Sequence, residues 1–222
     1  MATTLSLTAA DGHPFDAYVA VPAVKPRGAV IVVQEIFGVN SHIRSVVDGY
    51  AAEGYLAIAP ALFDREKRGY QSGYSDGDIA SGFEVMKKMQ WDNVVKDIAA
   101  TLEHAKTAGK VAIVGYCWGG AVSWVSAARV PGLAAASCYY GGAIPGVADL
   151  KPQCPVMFHW GETDGSIPLA TAREVSARHP SAASYFYTAG HGFNCDQRGS
   201  FDAASAKLAR ERTLAFFRQH VG

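Results

Sequence analysis

Six short apolar runs punctuate the chain, and the stretches between them follow a different period. The runs cover 28–35 (GAVIVVQE), 55–62 (YLAIAPAL), 110–117 (KVAIVGYC), 134–142 (AAASCYYGG), 155–162 (PVMFHWGE) and 184–190 (SYFYTAG). Near-continuous runs of this length, several rich in β-branched or aromatic residues, predict strands buried on both faces. Between them the apolar positions recur at helical spacing. This predicts helices over 41–53, with Ser41 as N-cap, and over 92–108, where Val94, Val95, Ile98, Ala99 and Leu102 share a stripe. Further helices are expected over 119–129, 169–179 and 201–220. The first twenty-odd residues instead alternate apolar and polar around 11–14 (DGHP), which predicts a hairpin. Strands alternating with helices predict an α/β fold: a mostly parallel, doubly wound sheet with helices on both faces. No repeat, linker or break in composition divides residues 1–222, so a single domain is expected. One long polar stretch, 64–77 (DREKRGYQSGYSDG), precedes a further short helical pattern. A loop of that length at the edge of such a sheet is expected to cover a site.

Composition narrows the function classes. A chain of 222 residues with 49% hydrophobic content can bury a full core. Lys+Arg and Asp+Glu are both 20, without a basic stripe or tail, so a nucleic-acid partner has no electrostatic footprint. No leader-like segment opens the chain and no apolar run reaches the length of a membrane span, so a soluble, cytoplasmic protein without a membrane partner is expected. Cys117, Cys138, Cys154 and Cys195 are dispersed without a CxxC pair, which argues against a disulfide framework.

One of those cysteines sits where chemistry is expected. In VGYCWGG (114–120), Cys117 ends one apolar run, and WGGAVSWVSAAR opens a helix directly after it. Gly115 and Gly119 flank it at two residues on either side, as in the G-x-S-x-G elbow that presents a nucleophile on a tight strand-to-helix turn. The helix N-terminus beyond favours a thiolate, the nucleophilic form. The same pattern also suits a small buried residue between glycines that merely allow close packing. Two later residues bear on the choice. Asp164 follows the fifth run in HWGETDGSIP, and His191 follows the sixth in TAGHGFNC. Each also suits an ordinary loop, Asp164 as a turn former before Gly165 and His191 between glycines. Together they give nucleophile, acid and histidine in the order of an α/β-hydrolase triad, all at the strand ends where open α/β sheets bind ligands. In that arrangement Cys117 attacks a carbonyl, His191 moves the proton and Asp164 orients the imidazole. The backbone N–H groups of Ile36 and Trp118 take the oxyanion-hole positions. Glu35 ends the first parallel run at the same edge; its carboxylate suits a site role, a solvent-facing strand end or a pair with Arg44.

The motifs QEIFGVN, VGYCWGG, CYYGG, HWGETD and GHGF, in this order, resemble the dienelactone hydrolase family, and the likeness runs from about Ala17 to ERTLAFF in the last helix. The resemblance implies an α/β-hydrolase fold and a cysteine hydrolase that opens a dienelactone to maleylacetate during breakdown of chlorinated aromatics. It also implies Cys117, Asp164 and His191 as triad and Glu35 as a group that contacts the resting thiol and helps form the thiolate. Tyr140, Phe37 and Trp118 would line the substrate cleft, with no metal or organic cofactor. Zinc lacks support from spacing as well, since His191 and Cys195 have no further ligands nearby in sequence. Well-studied members hold the substrate carboxylate with two arginines. One of those places is Cys195 here, with Arg198 three residues on; the other, in SDGDIASGFEVM, has no arginine. Arg65, Arg68, Lys87 and Lys88 are the remaining candidates, although each also suits a solvated surface. Three functions therefore compete: a dienelactone hydrolase, a broader carboxylesterase or thioesterase using the same triad, and a non-hydrolytic thiol sensor. The expected partner is a small lactone or ester, and the expected assembly a monomer.

Overall fold

A computed structural model describes residues 2–222. The expected hairpin is present: β1 (Ala2–Thr8) and β2 (Pro14–Ala20) pair antiparallel, with Ala2 opposite Ala20. The six apolar runs supply β3 (Ala29–Val33), β4 (Leu56–Pro60), β5 (Val111–Tyr116), β6 (Leu133–Tyr139), β7 (Val156–Gly161) and β8 (Ala183–Tyr187). All eight strands form one sheet in the order β1-β2-β4-β3-β5-β6-β7-β8. β2 runs antiparallel to β4, and every pairing from β4 across to β8 is parallel. The central strands β3 and β5 are buried at every residue, as their unbroken apolar sequences require, while the edge strand β8 is half-buried.

Six α-helices cover the sheet: α1 (Ser41–Ala52), α2 (Asp76–Met86), α3 (Trp91–Ala105), α4 (Trp118–Arg129), α5 (Leu169–Arg178) and α6 (Ala203–His220). The mostly parallel sheet with covering helices expected from the alternation is therefore the one observed, in the α/β-hydrolase form that the resemblance implied. Two local expectations change. The N-cap of α1 is Asn40, not Ser41: Asn40 has the extended backbone a cap needs, and its side chain accepts from the Ile43 N–H at 3.2 Å. Ser41 already lies in the helix and donates to Gln197 instead. The long polar stretch is also shorter as a loop than its composition suggests. It begins with a 3-10 turn (Leu62–Arg65) and ends at Ser75, where a reciprocal Ser75–Asp78 capping box starts α2. An isolated antiparallel bridge between Gly38 and Gln71 ties its middle to the segment after β3. This strap and α2 lie over the C-terminal ends of the central strands.

Candidate active site

Cys117 occupies the turn between β5 and α4 with φ 56° and ψ −121°, a conformation that side-chain-bearing residues rarely adopt. Strain of this kind persists only where the surroundings dictate it. Here the Cys117 N–H donates to the Tyr139 carbonyl at 3.1 Å, and its own carbonyl accepts from Gly120 N–H at 2.9 Å. The turn is also squeezed from three sides. A Cβ on Gly115 would meet the Gly119 carbonyl oxygen at 1.8 Å, one on Gly119 the Gln34 oxygen at 2.4 Å, and one on Gly120 the Tyr139 oxygen at 2.4 Å. Gly120 is thus as necessary as the two glycines named by spacing. Cys117 remains partly exposed, at the N-cap of α4 with its side chain free of any capping bond.

Asp164 lies in the turn after β7, its side chain fully shielded from solvent. Oδ1 accepts from the Ser166 and Ile167 N–H groups at 2.7 and 3.1 Å, and Oδ2 meets His191 Nδ1 at 2.8 Å. One oxygen thus builds the turn, and the other holds the His191 ring. Burial opposes charge on His191, but the Cys117 sulfur and the Asp164 carboxylate outweigh it, and the imidazole is pushed up to about 10. The Tyr140 ring packs edge-on to His191, 5.2 Å between centroids.

Cys117 and His191 open onto a cavity of about 270 Å³ whose walls include Ile36, Trp118, Phe83, Met86 and Ala143. Ile36 follows β3 and Trp118 is the first residue of α4, and both line the cavity. α2 is seated directly on the Ile36 peptide, since a Cβ on Gly82 would fall 2.4 Å from its carbonyl oxygen. Phe83 and Met86 had no signal in sequence beyond an amphipathic i, i+3 spacing.

The remaining expected residues lie off that wall. Glu35 is 1% exposed, which rules out a solvent-facing strand end, and Arg44 donates to Gln71 rather than to it. Glu35 accepts from Arg198 Nη1 at 3.3 Å and from the Tyr74 hydroxyl at 3.4 Å. Its bonds thus run to Arg198 and Tyr74, whereas the resemblance implied the resting thiol. Arg198 is not a free substrate anchor either: it lies against Gly192, faces the rings of Phe37 and Tyr74, and is held by Glu35. Phe37 packs edge-on to Tyr74 at 4.6 Å, and Tyr140 is fully buried with φ 36°; neither lines the cavity. Of the other candidate cations, Arg65 pairs with Asp97 and Asp11, Arg68 with Asp16 and Lys87 with Glu84, and neither these nor Lys88 line the cavity. Tyr74, from the polar strap, is the residue of this group that spacing gave no reason to single out. Cys195 is buried beside Glu35 and His42, and burial together with the Glu35 charge pushes its thiol up to about 11.

The model of the dienelactone hydrolase family matches residues 15–221. This chain belongs to the dienelactone hydrolase family. It is 32% identical to the "Putative carboxymethylenebutenolidase" of Synechocystis sp., covering 92% of this chain and 91% of that one. It is 30% identical to the "Carboxymethylenebutenolidase" of Pseudomonas putida, over 96% and 94% of the two chains. Among solved structures, the "Putative Dienelactone Hydrolase" of Klebsiella pneumoniae is 34% identical and superposes with a TM-score of 0.85, covering 99% of each chain. The dienelactone hydrolase fold and its ester- or lactone-hydrolysing chemistry thus stand on both sequence and structure. No helix among the described residues is long and apolar enough to cross a membrane.

Proposed function

We propose that this dienelactone hydrolase family member cleaves small esters and lactones through an acyl-enzyme on Cys117. The observation that carries the reading is the 2.8 Å Asp164–His191 pair beside a strained cysteine, with both His191 and Cys117 on one cavity. The Cys117 thiolate adds to the carbonyl carbon, and the N–H groups of Ile36 and Trp118 stabilise the oxyanion. Collapse of that intermediate breaks the ester C–O bond, and His191 gives its proton to the leaving oxygen. A water then gives a proton to His191 and adds to the thioester; the acid leaves and the thiolate returns. Glu35 is occupied at rest by Arg198 and Tyr74, so any part it takes in forming the thiolate requires that pair to open.

The cavity lining favours the broader esterase over strict dienelactone specificity. Ile36, Phe83, Met86, Trp118 and Ala143 supply apolar surface, and no lysine or arginine is among its lining residues. A substrate carboxylate placed there loses hydration without gaining a cation. Neutral esters and lactones are therefore the expected class. The test is turnover of a neutral aryl acetate beside a dienelactone, with Cys117→Ala as control. Preference for the acetate, lost by about four orders of magnitude in Cys117→Ala, supports the reading. Preference for the dienelactone overturns the neutral-substrate assignment, and undiminished turnover in Cys117→Ala overturns the nucleophile.

A further inference from the structure

Behind the triad, three buried side chains from distant parts of the chain converge. Glu35 lies two residues beyond β3, His42 lies in the first turn of α1, and Cys195 follows the histidine loop. A carboxylate oxygen, a ring nitrogen and the sulfur all lie within 4.8 Å of one another, and the three residues are 1%, 3% and 0% exposed. His42 Nδ1 pairs with Asp196 Oδ1 at 3.0 Å. That leaves Nε2 buried and without a hydrogen-bond partner. An orphaned buried ring nitrogen is costly, and the hydrolytic mechanism gives it no work to do.

We propose that Glu35, His42 and Cys195 form a binding site for a thiophilic divalent cation of the zinc type. Sulfur, imidazole and carboxylate are the donor types zinc takes, and three protein ligands leave a fourth position open. With bonds of about 2.0–2.3 Å, tetrahedral ligand atoms stand roughly 3.3–3.8 Å apart, so closure by about 1 Å suffices. The Asp196–His42 contact supplies the carboxylate that orients a metal-bound imidazole and fixes its tautomer. Charge also closes: two positive charges from the cation and one from Arg198 meet Glu35, Asp196 and a Cys195 thiolate. A groove of about 350 Å³ lined by His42, Asn194 and Asp196 gives an entry path from solvent. Spacing in sequence hid this set, because His42 and Cys195 stand 153 positions apart.

Cobalt(II) is the probe, because a thiolate ligand gives it a near-ultraviolet charge-transfer band. Titration is made on Cys117→Ala protein, so the triad thiol contributes nothing and the result is independent of the hydrolytic reading. The expected result is a saturable band that zinc abolishes and that is missing when Cys195→Ser is added. Asp196→Asn, an exposed substitution that leaves the three ligands in place, should weaken cobalt binding about 10- to 100-fold. No band, a band that survives Cys195→Ser, or unchanged affinity in Asp196→Asn overturns the proposal.

Discussion

At the scale of single residues, His191 is the group whose surroundings are most at odds with one another. Burial favours its neutral form, while Cys117 and Asp164 hold it charged to about 10. Because the Cys117 sulfur is the larger of those two supports, removing it should let burial reassert itself. In a ring-proton NMR titration, His191 of Cys117→Ala should lose its proton at clearly lower pH than in the wild type. Asp164→Asn should lower it too, and should reduce turnover by about 10⁴-fold through loss of the orienting carboxylate. An unchanged His191 titration in both variants would remove the electrostatic basis of the triad. That these three residues converge was legible in sequence because each follows a strand end, where order along the chain translates directly into place on the sheet edge. The partners of Glu35 were not. Arg198 lies 163 residues away and Tyr74 sits in a polar loop, so only the folded chain reveals which donors meet the carboxylate.

At the scale of elements, α2 shows how a helix outside the sheet sets the shape of the site. It is started by a capping box inside a stretch whose composition reads as loop, and it contributes Phe83 and Met86 to the cavity wall. Its seat on Ile36 depends on Gly82, where a Cβ would meet carbonyl oxygen at 2.4 Å. Gly82→Ala gains helix propensity of up to about 1 kcal/mol, but the helix must lift from the Ile36 peptide. Losing about 1 kcal/mol of wall contact corresponds to a roughly fivefold rise in KM with kcat nearly kept. Gly77→Ala is the matched comparison, since its Cβ meets only Ser75 Oγ at 3.8 Å. It should leave KM where it is. Steady-state kinetics of the two variants decide the point: equal KM values would mean that α2 does not define the substrate wall. The helical pattern beyond residue 77 was visible in sequence; its start was not, because Ser75, Asp76 and Asp78 serve a cap and a solvated loop equally well.

At the scale of the whole molecule, the parallel sheet follows from the alternation of apolar runs and helical stripes, but what joins its far half to α6 does not. That junction is a chain of buried polar contacts. Tyr139 and Thr213 hydroxyls meet at 2.8 Å, Thr213 meets His159 Nε2 at 3.0 Å, and His159 Nδ1 meets the Tyr187 hydroxyl at 2.8 Å. In sequence His159 is one polar residue in an apolar strand, with nothing to mark its partners on β6, β8 and α6. Burial first, and Arg212 second, depress the folded-state value of His159 to about 3. The unfolded chain titrates this residue near 6.5. Above that pH both states leave it neutral; below it the unfolded state binds a proton the folded state refuses, so stability falls as pH drops toward 3. Carboxylates such as Asp11, held low chiefly by the Arg65 hydrogen bond, add most of their own loss at lower pH, from about pH 5 downward. Between pH 6 and 4.5 the His159 contribution approaches a limiting slope of about 1.4 kcal/mol per pH unit, and the difference between wild type and a His159 variant separates it from His191, whose raised folded-state value gives a smaller, opposite contribution there. Urea unfolding across that interval should show this decline in the wild type and a flatter profile in His159→Gln, whatever that variant's absolute stability. Parallel profiles would mean that His159 takes up its proton without disturbing the junction between the sheet and its last helix.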